Sequence, residues 1–173
     1  MAIALYDLTV ASYLQGLEGV AGVLEKGLAH CRETGADPDA LLEVRLIEDM
    51  NPFRFQVACV AHFSLGSIQG VKAGVFSPPA PWAPTRYAEL QERVAEAKAG
   101  LLALSRDEVD ALEGRDMTFQ AGEFKVPFTA EGFLMSFALP NFYFHATTAY
   151  DILRARGVGL GKRDFMGPLR IKS

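Results

Sequence analysis

The sequence predicts an all-α fold, a four-helix bundle with a small β-hairpin between its third and fourth helices, and three observations predict it. Four long stretches repeat apolar residues at spacings of three and four, the period of a helix buried on one side. Proline and glycine signals separate these stretches, notably Asn51-Pro52, the run Ser77-Pro78-Pro79-Ala80-Pro81-Trp82-Ala83-Pro84, and Gly114. One short stretch alternates with a period of two instead.

The first helix is expected from about Leu5 to Arg32. Val10, Leu14, Leu17, Ala21, Leu24 and Leu28 form its seam, and Gly35 follows as a left-handed cap. Asp37-Pro38 pairs an N-cap with a first-turn proline and opens a short helix through roughly Leu46. Asn51-Pro52 repeats the signal and opens the second long helix, to about Lys72. No Asp, Glu, Lys or Arg lies between Arg54 and Lys72. A helix apolar on both faces must be covered on both sides, by its own bundle or by a second subunit.

The proline-rich run after Ser77 cannot be helical and makes a stiff connection. The third helix, about Arg86 to Leu104, buries Tyr87, Leu90, Val94, Ala97, Leu101 and Leu104. It turns Glu89, Glu92, Arg93 and Glu96 to solvent. Ser105-Arg106-Asp107-Glu108 is a capping-box pattern for a further turn or two, ended near Gly114. Met117-Thr118-Phe119-Gln120 and Glu123-Phe124-Lys125-Val126 flank Ala121-Gly122 and predict the hairpin. Thr129 caps the fourth helix, Pro140 kinks it, and it stops before Gly157.

Composition sets the class. The chain has 173 residues, enough for one domain over residues 1–173 with a sizeable core. Half of them are apolar, so a folded domain is expected. A net charge of −4 argues against a nucleic-acid surface, which needs clustered Lys and Arg. Cys31 and Cys59 read as reduced, buried hydrophobes. The N-terminus lacks the basic region of a signal peptide. The uncharged run from Gly132 to Tyr150 has about the length of a membrane span. Ser136, Pro140, Asn141, His145 and Thr147-Thr148 interrupt it, so it reads as a core helix of a cytoplasmic protein.

Two histidines stand out because a titratable ring in an apolar segment is either a hydrogen-bonded core group or part of a site. His145 shares its helix face with Leu134, Ala138, Asn141, Ala149 and Ile152. His62 shares its own with Phe55, Cys59, Leu65 and Gly66. Two inward imidazoles on two helices suit a divalent metal such as zinc, nickel or iron, but a stable site needs three or four ligands or bound waters. As core groups, the same residues imply hydrogen bonds from His145 to Asn141, Thr148 or a tyrosine such as Tyr150. These three residues are the candidate ligand-binding groups of a metal-free pocket. His30, near the end of the first helix, is expected at the surface. Glu48 and Asp49 read as carboxylates stabilising a helix N-terminus. Gly157-Val158-Gly159-Leu160-Gly161-Lys162-Arg163 fails as a phosphate loop. Arg156 and Arg163 replace its first glycine and its Ser/Thr, and it follows a helix instead of a strand.

Asp49-Met50-Asn51-Pro52-Phe53, Gln56-Val57, Pro140-Asn141-Phe142-Tyr143-Phe144-His145-Ala146-Thr147-Thr148-Ala149-Tyr150-Asp151-Ile152-Leu153-Arg154 and Gly161-Lys162-Arg163-Asp164-Phe165 together resemble a bacterial family of unknown function in the DinB/YfiT-like superfamily. The resemblance spans nearly the whole chain. It implies a DinB-like four-helix bundle, often dimeric. It also implies a divalent metal held by one histidine on helix two and an H-x-x-x-H pair on helix four, and in some members a low-molecular-weight-thiol transferase activity. On that pattern His62 resembles the helix-two ligand and His145 the first of the helix-four pair, while Ala149 stands where the second belongs.

Three functional readings follow. The first is a binding or interaction protein, a homodimer with a degenerate metal site, motivated by the uncharged second and fourth helices. The second is a metal-dependent hydrolase or thiol transferase using His62 and His145. The third is a small-molecule pocket lined by Phe142, Tyr143, Phe144 and Tyr150.

Overall fold

The seam of the first helix falls a little to one side of where its Leu and Ala residues suggest. The computed structural model, which describes residues 3–172, divides this helix into α1 (Leu5–Leu8) and α2 (Val10–Thr34). At Thr9 the hydroxyl donates to the Leu5 carbonyl at 2.7 Å. The buried line of α2 runs through Val10, Tyr13, Leu17, Val20, Leu24, Gly27 and Cys31. Leu14, Ala21 and Leu28 are only half-buried beside it. Gly35 ends the helix in the left-handed region at φ 72°, where a Cβ is costly.

Asp37 accepts the Asp39 amide at 3.0 Å, so the expected cap forms. The turn that follows, Pro38–Glu43, is a 3₁₀ helix ending three residues before Leu46. The second long helix comprises α3 (Phe53–Ala61), a π-helical turn over His62–Gly66, and α4 (Ser67–Ala73). A π turn holds one extra residue and rotates everything beyond it, an irregularity common at functional sites.

The third helix, α5 (Tyr87–Leu102), buries Tyr87, Leu90, Val94, Ala97 and Leu101 as its spacing predicts, whereas Leu104, expected in the same seam, lies past the helix end and is only half-buried. Ser105 then caps the short α6 (Arg106–Asp110), accepting the Glu108 amide at 3.2 Å. The alternating stretch folds as expected. β2 (Asp116–Ala121) pairs antiparallel with β3 (Phe124–Thr129) around Gly122, which has φ 60°. A third strand was not legible: β1 (Val75–Phe76), just past α4, pairs parallel to β2 with Phe76 opposite Phe119. Two residues are too few to show a period. β3 is an edge strand, where Pro127 costs no ladder bond.

The fourth helix starts at Thr129, whose hydroxyl accepts the Gly132 amide at 3.2 Å. It comprises α7 (Ala130–Phe133), a second π turn over Leu134–Ala138, and α8 (Leu139–Ala155). Pro140 therefore sits in the first turn of a renewed α-helix. There its missing N–H is tolerated, and the irregularity falls in the π turn before it. Past Gly157 a short α9 (Lys162–Met166) lies against α2, and Asp164 pairs with Lys26 at 2.7 Å.

The chain is thus mostly helical with a small three-stranded sheet. α2 packs against α5 and α8, and α3 packs against α8 and α5. Phe63, Phe76, Phe119, Phe133 and Phe137 join the sheet to the second and fourth helices. Ring centroids lie 4.9 Å apart for Phe119–Phe137 and 5.0 Å for Phe76–Phe133. Among the described residues no helix is long and apolar enough to cross a membrane.

Candidate functional site

His145 emerges from α8 toward α3, as its face predicts, and is 9% exposed. Its Nδ1 lies 2.8 Å from the Gln56 Oε1. The Gln56 Nε2 is already donating to the Asn51 carbonyl at 2.8 Å, so its Oε1 is free to accept. His145 therefore carries its proton on Nδ1 and keeps a lone pair on Nε2. The ring stacks on Phe63, with centroids 5.7 Å apart and planes 11° apart, and meets Phe55 and Phe144 edge-on. Burial pushes its pKa down to about 4, so the imidazole is neutral at pH 7.

His62 opens the first π turn and looks elsewhere. Its Nε2 donates to the Ser77 carbonyl at 2.8 Å, which leaves the lone pair on Nδ1. The ring packs on Phe76 at 4.5 Å and edge-on to Phe63 at 5.5 Å. Burial lowers its pKa, the Ser77 bond opposes that, and Arg93 lowers it further. Its far side lines a cleft shared with Gln69, Arg93 and Glu96.

Gln56, not His62, is thus the second-helix side chain that meets His145. The two positions are six residues apart, about 240° round a helix, so they cannot share a face. Gln56 is 2% exposed, but the charge-free stretch carries two amides, Gln56 and Gln69, and nothing in the sequence marks which of them meets the fourth helix. The other candidates are spread out. Asn141 donates to the Phe137 carbonyl and Thr148 to the Phe144 carbonyl, both at 2.8 Å along their own helix. Tyr150 packs edge-on to Phe165 at 5.9 Å. Ala149 is buried, and His30 is half-buried on α2 with Gly157 nearby. Cys31 and Cys59 are free and buried; burial pushes the Cys59 thiol up to about 12, which leaves no thiolate nucleophile at neutral pH.

Each histidine has one nitrogen on a carbonyl oxygen and one bare, the pattern of a metal-binding imidazole. The remaining donors fall short. Among the described residues no group of three or more His, Cys, Asp and Glu side chains converges, so protein side chains alone do not complete a three- or four-ligand shell around either ring.

The comparisons with known proteins agree with this frame. None of the curated proteins matches the chain. Among solved structures the chain is similar to the crystal structure of a DinB family member protein from Shewanella denitrificans. That likeness has 28% identity and a TM-score of 0.83, over 98% of this chain and 95% of that one. A family described as a domain of unknown function, DUF1993, matches residues 5–166. With residues 5–166 matched, nearly its whole length, the chain belongs to the DUF1993 family.

Proposed function

We propose that this chain is a cytoplasmic DinB-type four-helix bundle with a hairpin between its third and fourth helices. In our reading it works as a homodimeric binding protein, in which the Gln56–His145 hydrogen bond occupies the place of a metal centre. The observation that carries the reading is the outer face of the fourth helix. Met135, Tyr143 and Phe144 are 40%, 42% and 56% exposed there, within a run free of charge. Two half-exposed rings present about 200 Å² of aromatic surface, enough to centre a footprint of about 800 Å² per partner. An uncharged face pairs with itself about a two-fold axis without burying any charge, so a second copy is the occupant it favours.

Light scattering of purified protein tests this. The native chain should be a dimer, and Tyr143→Glu/Phe144→Glu should be a monomer with an unchanged far-UV spectrum. A native chain that stays monomeric at high concentration overturns it. The bare Nε2 of His145 and Nδ1 of His62 favour the metal-dependent hydrolase or thiol-transferase reading instead. Elemental analysis of untagged protein decides that point. Zinc, nickel or iron at one per chain, lost in both His62→Ala and His145→Ala, would replace our reading; metal-free protein supports it.

A further inference from the structure

Between the second and third helices lies a cleft of about 220 Å³ that the Gln56–His145 contact does not use. His62 forms part of its wall. The Ser77 carbonyl can only accept, so it fixes the ring proton on Nε2 and turns Nδ1 into a pure acceptor. Gly66, at the end of the π turn, keeps that acceptor open: a Cβ there would stand 3.2 Å from Nδ1. Across the cleft α5 contributes Arg93 and, one turn on, Glu96, and Gln69 of α4 also lines it. Arg93 is half-buried with its guanidinium 5.2 Å over the Trp82 ring, a contact that holds it without neutralising its charge. Among the described residues neither Arg93 nor Glu96 is in an ion pair, although an arginine and a glutamate three apart on one helix are neighbours. The cleft therefore offers one cation, one anion, a neutral acceptor and an amide, and its net charge is zero.

We propose that this cleft binds a small zwitterion of the α-amino-acid class, with the carboxylate on Arg93 and the ammonium shared by Glu96 and the His62 Nδ1. A simple anion would satisfy Arg93 and meet Glu96 as a like charge. A simple cation would do the reverse. Only a ligand carrying both charges side by side pairs with the whole set. The volume suits a single amino acid. This site is separate from the fourth-helix face, so a monomeric protein would leave it standing and an empty cleft would leave the dimer standing.

Glycine, L-alanine, L-leucine and L-glutamine are the probes. Each is compared with its N-acetyl and methyl-ester forms, following the His62 ring nitrogens by long-range ¹H–¹⁵N NMR. At least one free amino acid should move Nδ1 in a saturable way, with binding weakened about tenfold or more by either cap. Glu96→Gln, an exposed change, and Arg93→Gln should each weaken it to a similar degree in protein that melts cooperatively. Gly66→Ala should weaken all probes alike. No saturable shift up to about 10 mM, or equal binding of a capped form, overturns the proposal.

Discussion

His145 is the residue on which fold and function meet, and its protonation couples them. In the folded chain burial holds its pKa down to about 4, against 6.5 for a free imidazole. Unfolded chain therefore binds more protons between those values. Stability contributed by neutral His145 is full above about 6.5, falls as pH drops toward 4, and is constant below. His62 is lowered too, so it acts in the same direction. The His145 share is at most about 3 kcal/mol. Urea midpoints between pH 7.5 and 4 should fall in the native chain, with a shallower fall for His145→Leu; parallel curves would show that this ring does not set the acid limit. At pH 7, His145→Leu or Gln56→Leu alone leaves a buried partner unpaired, at a cost of about 1–3 kcal/mol each. The double variant should lose less than the sum, because neither orphan remains. The place of His145 was legible from its face. Its partner was not, since an amide gives no sign in sequence of which helix it will meet.

At the scale of elements, spacing and caps were the legible signals: the third helix, the hairpin turn at Gly122 and the caps at Gly35, Asp37, Ser105 and Thr129 all form where local chemistry puts them. The two π turns were not legible, because an extra residue in a turn is decided by tertiary packing. Six residues of ordinary α-helix before the π turn are why His62 faces Arg93 while Gln56 faces the fourth helix. The seating of α9 on α2 was equally hidden, and it rests on glycine. A Cβ at Gly19 would press into the Phe165 carbonyl oxygen, whereas one at Gly22, a turn further on the same helix, would meet nothing within 4 Å. Gly22→Ala should therefore raise stability by about 0.5–1 kcal/mol through helix propensity. Gly19→Ala should lower it by about 1–3 kcal/mol by forcing α9 off its seat. Thermal melts of the two variants settle this, and equal shifts of one sign would mean that α9 does not rely on that approach.

The whole molecule covers the second helix within one chain: Val57, Val60, Ile68 and Val71 are buried among α5, α8 and the sheet. The apolar surface that the charge-free sequence left to be covered on both the second and fourth helices is thus covered within the chain at the second, and in our proposal the fourth is where a second copy docks. Periodicity marks which residues leave solvent but not whether a neighbour in the same chain removes them. If the outer face of α8 is where two copies meet, folding and association are linked, and melting must depend on protomer concentration. Each tenfold rise in concentration adds about 1.4 kcal/mol per dimer, or about 0.7 kcal/mol per protomer. For a domain of this size that is about 2 °C in Tm. Tyr143→Glu/Phe144→Glu should melt at one temperature at every concentration, since both rings are half-exposed in a single chain and contribute little to its own core. A native Tm independent of concentration over a hundredfold dilution, as in this variant, would place the exposed rings outside any interface between copies.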